Sequence, residues 1–191
     1  MTTRNRVFSV AILTGVIVAC ASWARTRYEG QAVSIVVRGV HVSGSRRFAH
    51  QIKQALDLLS QKAPGEFLTI QDQKPSIRQA DRSSLIEYTP PVIEMSAKSA
   101  LYSLTWCAGA IAHESMHLQR YIEHGITPEV ADTADKVRDE ELICLRYQAR
   151  VLRAIGAPAL EINDVESANG RHNDTNGDGL VTWEDYVEQD W

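Results

Sequence analysis

Residues 101–123 read LYSLTWCAGAIAHESMHLQRYIE, and the rest of the chain has to be folded around them. The stretch holds no proline, and residues 101–112 carry no charge. Its apolar residues (Leu101, Leu104, Trp106, Cys107, Ala108, Ala110, Ile111, Ala112) go most of the way round a helical wheel, the pattern of a helix through the middle of a domain. At its end stand His113, Glu114 and His117, spaced as H-E-x-x-H. Helical residues four apart share a face and lie about 6 Å apart along the axis. Two imidazoles so placed grip one metal ion from one side, with Glu114 on the edge of that face as a base.

A catalytic zinc site takes three protein ligands and keeps one position open. One known pattern finds the third ligand ten residues after the first histidine, beyond a turning glycine. Here those positions hold Glu123 and Arg120. Without the glycine the helix continues, so Glu123 points away. His124 lies about 10 Å along the axis from His117 and is out of reach. The next helical segment offers a better donor. Val130, Val137, Cys144 and Val151 form one row, and Ala134, Glu141 and Gln148 form its companion. Glu141 interrupts this otherwise apolar seam, where a carboxylate is costly unless it meets a cation or a full set of donors. Glu140 sits beside it, turned to the helix edge. Glu141 is the preferred ligand; pairing with Arg146 or a buried tyrosine is its bland alternative.

Outward from this pair, the pattern predicts an α+β fold. Residues 31–42 alternate and are rich in valine, which reads as a strand. Ser45 caps a helix running to Gln61, with Phe48, Ile52, Ala55, Leu56 and Leu59 on one side. Pro64-Gly65 reads as a stop, residues 67–70 as a short strand, and the polar residues 71–84 as a loop with a turn of helix. Residues 85–88 and 92–95 read as short strands around Pro90-Pro91. Gly125 breaks the motif helix. Thr127-Pro128-Glu129 starts another, which runs to about Ile155 and stops at Gly156-Ala157-Pro158. A small antiparallel or mixed sheet and a packing helix thus precede two antiparallel motif helices.

H-E-x-x-H on one helix and a glutamate on the next resemble the gluzincin zinc metallopeptidases, in particular their small, minimal members. The resemblance covers roughly residues 33–158. It implies that His113, His117 and Glu141 hold zinc and that Glu114 activates water. It does not supply the second catalytic tyrosine or histidine of larger members; Tyr121, Tyr147 and Arg146 are candidates only.

The ends of the chain read differently. Arg4 and Arg6 precede an uncharged run, residues 7–24, and Arg25 and Arg27 follow. Residues 1–27 are therefore a membrane-targeting segment. It has three open fates: an anchor near the minimum span, cleavage after residues 22–24, or lipidation of Cys20 in a run that resembles a lipobox. Each delivers the domain outside the cytoplasm, where a disulfide persists. Cys107 and Cys144 could then be bridged, or be two buried thiols.

Residues 28–160 are expected to form the catalytic domain and 161–191 a tail. Residues 174–185 read as an EF-hand-type calcium loop. Asp174, Asn176, Asp178, Thr182 and Asp185 supply oxygens, Leu180 its carbonyl, and Gly179 the sharp turn. Asp185 stands where a longer glutamate is usual, so the loop resembles the dockerin type.

The net charge of −4 and the lack of a basic stripe argue against nucleic acid. Three functions remain. One is an extracytoplasmic zinc peptidase with Zn2+ and Ca2+ as cofactors and a peptide or protein substrate. Another is a non-enzymatic calcium-binding module. The third is a zinc hydrolase acting on another bond, such as a cell-wall amide.

Overall fold

A computed structural model of the chain describes residues 31–81, 86–125 and 134–170. The fold is α+β. Strands β1 (Ala32–Val37) and β2 (Val40–Ser45) are followed by helices α1 (Arg46–Lys62) and α2 (Pro64–Gln73). Strands β3 (Ser76–Ala80), β4 (Ile86–Tyr88) and β5 (Pro91–Ser96) complete a mixed sheet in the order β1-β2-β3-β5-β4. Only the two outer pairs are antiparallel. A short α3 (Ala97–Ala100) leads to the long helices α4 (Leu104–His124) and α5 (Ala134–Ile155), and α6 (Ala159–Ser167) follows.

The strand expected over residues 31–42 is a hairpin. Arg38 and Gly39 both take positive φ, 50° and 88°, the two-residue turn whose twist matches the flanking strands. Arginine is not a usual left-handed residue, so the alternation reads straight through it. Ser45 caps α1 as expected, its hydroxyl accepting from the Phe48 amide at 3.2 Å.

Residues 67–70 lie within α2, not in a strand. The preceding helix does end at Lys62, before the expected stop at Pro64-Gly65, but Pro64 also opens α2, because a first-turn proline gives up no helical hydrogen bond. A short apolar run does not distinguish the two cases. The expected loop over residues 71–84 is also corrected: Ser76–Ala80 is the central strand. Its polarity hides it. Ile77 alone is fully buried, while Arg78 pairs with Glu94 on β5.

The core lies between one face of the sheet and the helices. Phe48, Ile52, Leu56 and Leu59 of α1 are fully buried with Val42, Ile77, Ile93 and Ile111. Each such side chain contributes roughly 1.5–3 kcal/mol over its exposed state. Helix α4 is buried along most of its length because its small residues admit α5. A Cβ on Gly109 would stand 2.7 Å from Leu152 Cδ2. Gly125 ends α4 in the left-handed region, φ 66°.

Helix α6, which spans the boundary expected at residue 160, packs on α5 and is tied to the start of α4. The buried Glu161 carboxylate accepts from Ser103 Oγ at 2.6 Å and Thr105 Oγ1 at 2.7 Å. Both hydroxyls belong to the first turn of α4, where negative charge is favourable. Gly170 then packs against α5, with Arg138 O 2.8 Å from where its Cβ would be. The expected targeting segment with Cys20, the expected helix start at residues 127–129 and the expected calcium loop with Asp174, Asn176, Asp178, Leu180, Thr182 and Asp185 lie outside the described residues. No helix among the described residues is long and apolar enough to cross a membrane.

Candidate metal centre

His113 and His117 stand one turn apart on α4, and Glu141 faces them from α5. Of the seam predicted on this helix, Val137, Glu141, Cys144, Gln148 and Val151 are all buried, while Val130 and the Ala134 side chain lie outside the described residues. His113 Nε2 lies 3.1 Å from His117 Nε2 and 3.5 Å from Glu141 Oε2. His117 Nε2 lies 3.2 Å from Glu141 Oε1. Donors about 2.0–2.1 Å from a tetrahedral ion stand about 3.3–3.4 Å apart. The two imidazole nitrogens face different oxygens of the one carboxylate at about that spacing, with one ligand atom from each residue within 4.8 Å of the others, so the group can hold a metal ion. Their side chains are 10%, 13% and 8% exposed. Two imidazole nitrogens with one carboxylate oxygen do not suit calcium, which takes oxygen donors.

The electrostatics fit a site that exchanges a proton for a cation. Burial alone would lower the His117 pKa. The Glu141 carboxylate outweighs it, with Cys144 beside the ring, and holds His117 well above the ordinary histidine range. His113 Nδ1 is buried and has no hydrogen-bond partner among the described residues. Glu114, in the same turn, is buried at 6% exposure.

The other candidates separate cleanly. Glu140 is not a donor to this group; it binds the Arg120 guanidinium through two 2.8 Å hydrogen bonds. Glu123 accepts from Gln119 on the exposed side, and His124 is exposed. Arg146 is exposed, and Tyr147 lies beneath Arg150. Tyr121, one turn past His117, stacks on Tyr88 of β4 with centroids 4.5 Å apart.

Of the two readings left open for Cys107 and Cys144, the structure has the separate buried thiols and not the bridge. The helices run antiparallel, so the level of α5 beside Gly109 is that of Gln148 and Leu152. Cys107 thus faces the Leu152 end, and Cys144 lies eight residues, about 12 Å, along the axis. A disulfide needs Cα atoms about 4.4–6.8 Å apart. Burial raises the Cys144 pKa, with the Glu141 and Glu114 carboxylates adding to it against His117.

The sequence did not reveal two contacts on the motif helix. Gln73 of α2 accepts from the Ser115 hydroxyl at 2.6 Å and donates to the Ser115 carbonyl at 2.9 Å. The other is the Arg120–Glu140 pair, whose one signal was an arginine in place of the turning glycine. Compared with known proteins, the chain matches no family model, no curated protein and no solved structure.

Proposed function

We propose that the protein is a zinc-dependent hydrolase that cleaves peptide bonds, with Glu114 as its general base. The observation that carries this reading is the convergence of His113, His117 and Glu141 from two helices, with Glu114 in the same turn. Among borderline ions that accept imidazole and carboxylate together, zinc suits a set of two histidines and one glutamate. When bound there, zinc polarises a carbonyl and lowers the pKa of water toward about 7. Glu114 takes the proton of the attacking water and passes it to the leaving amine.

An extended peptide is the substrate class. β4 is an edge of the sheet, its outer side paired with no strand among the described residues. Its Tyr88 reaches the stripe of α4 that carries both histidines. A chain laid along that edge pairs through its backbone and runs beside the metal group.

The burial of all three donors favours a second reading, a structural metal. Structural zinc is closed by four protein ligands, and the described residues supply three. The targeting segment places the domain outside the cytoplasm, and the loop at residues 174–185 binds calcium in roughly the 0.1–1 mM range of extracellular modules.

Protein purified without added metal should carry one zinc per chain, lost in His113→Ala. Glu114→Gln should keep the zinc and lose hydrolysis of a casein or peptide-library substrate by about 10²–10⁴-fold. Zinc retained with wild-type hydrolysis in Glu114→Gln removes the mechanism. No zinc in the wild type removes the reading. Calcium uptake is tested by isothermal titration of the full chain.

A further inference from the structure

The two residues inside H-E-x-x-H that the metal chemistry leaves open are Ser115 and Met116. Ser115 is 1% exposed. At about 100° per helical residue, it lies about 160° round α4 from His113 and from His117 alike. It therefore sits on the back of the helix, behind both histidines, while Glu141 of α5 meets them from the front.

A serine buried in a helix commonly turns its hydroxyl back to the carbonyl four residues before it. Ser115 instead turns outward, to Gln73. Its hydroxyl donates to Gln73 Oε1 at 2.6 Å, and its own carbonyl accepts from Gln73 Nε2 at 2.9 Å. The amide has one orientation here, because a backbone carbonyl only accepts and so faces the NH2 group. An ionised carboxylate of the same length lacks the donor, and an apolar side chain lacks both groups.

Gln73 is itself held. It is the last residue of α2, whose Phe67 and Ile70 are buried in the core. The next residue, Lys74, turns the chain in the left-handed region, with its amide bonded to the Ile70 and Gln71 carbonyls. Neither hydrogen bond from Gln73 to Ser115 involves a metal-binding side chain.

We infer that Gln73 is a positioning residue for the metal centre, fixing the rotation of α4 about its own axis through Ser115. The inference rests on the reading of His113, His117 and Glu141 as zinc ligands. On the front of α4, contact with α5 is made by Gly109 against Leu152 and by the Arg120–Glu140 pair. Gln73 supplies the opposing hold, and its two hydrogen bonds are directional. Ligand sets work within about 0.5 Å and about 10–20° of the productive arrangement. A small turn of α4 carries both imidazoles away from Glu141 together, and Glu114 with them.

The test uses the full chain in a non-ionic detergent, freed of metal and titrated with Co2+, a coloured stand-in for zinc. Excess Ca2+ keeps Co2+ off oxygen-only sites. The visible d–d bands report affinity and coordination geometry, and circular dichroism at the same temperature shows that each variant is folded. Gln73→Met keeps the length of the side chain without its polar groups. It should bind Co2+ about tenfold more weakly and show altered bands. Ser115→Ala should lose part of that affinity, and adding it to Gln73→Met should change nothing further, because the two side chains act as one unit. Gln71→Met is the control: Gln71 lies on the same helix but donates to the Arg38 carbonyl, at 2.7 Å, so its titration should match the wild type. A folded Gln73→Met with wild-type affinity and bands overturns the inference and leaves the zinc reading standing. An equal loss in Gln71→Met overturns it too, since the effect would belong to α2 as a whole. If Gln73→Met does not fold, Ser115→Ala decides, and a wild-type titration there overturns the inference. A wild type that binds no Co2+ removes the zinc reading and this inference together.

Discussion

The guanidinium of Arg120 on α4 clasps the carboxylate of Glu140 on α5 through two 2.8 Å hydrogen bonds, beside the point where His117 meets Glu141. The pair stands where a turning glycine would have redirected the chain. It ties the two helices together one residue from one ligand and three from another. Its side chains are 21% and 19% exposed, so the pair is worth more than a surface bridge. Arg120→Met should destabilise the fold by about 1–3 kcal/mol and weaken metal binding by about 10–100-fold, as the loss of ligand-supporting contacts does. Arg120→Lys should recover part of both. Unchanged metal affinity in folded Arg120→Met would show that Glu141 needs no such support.

Glu161 tests where the domain ends. Its carboxylate holds the Ser103 and Thr105 hydroxyls at the start of α4. Glu161→Ala leaves those half-buried groups with one partner fewer and should cost about 1–3 kcal/mol in urea unfolding. A chain ending at Pro158 should lose at least as much. A truncated chain as stable as the full one would make α6 an appendage.

The two thiols give a direct mass measurement. In native protein neither Cys107 nor Cys144 should react with a maleimide, since both are buried. Unfolded without reductant, both should react. A folded protein whose unfolded form shields the pair until reduction would show a bridge.

The metal-free protein should lose stability as the pH rises. His117 is held above its ordinary value, chiefly by Glu141 acting against burial. The folded state therefore binds that proton more tightly than the unfolded chain. Its contribution is complete below about pH 6.5 and disappears as the pH passes the raised value. Burial also pushes the Cys107 thiol up to about 12, so further stability is lost between about pH 9 and 12. The melting temperature of chelator-treated protein should fall from pH 6 to 9. Zinc-loaded protein should fall less, because the cation displaces the proton. Identical slopes with and without zinc would contradict the exchange.

Some of this was set locally and is legible along the chain. Ser45 as a cap, the stripe on α1 and the stop at Gly125 each follow from a few neighbouring residues, and all stand where the pattern puts them. Glu141 was legible for a different reason: a carboxylate on an apolar seam demands a partner, and two histidines on the adjacent helix were the available one.

What only the tertiary structure decided depends on contacts between distant residues. Ser76–Ala80 is a central strand because β2 and β5 pair with it on both sides, although its own residues are polar. Residues 67–70 are helical because Phe67 and Ile70 find a buried face together. The thiols stay apart because the offset of α4 against α5 is set by Gly109 meeting Leu152. A donor set can be read from spacing on one helix, but strand pairing and helix offset are properties of two segments at once, and no single segment encodes them.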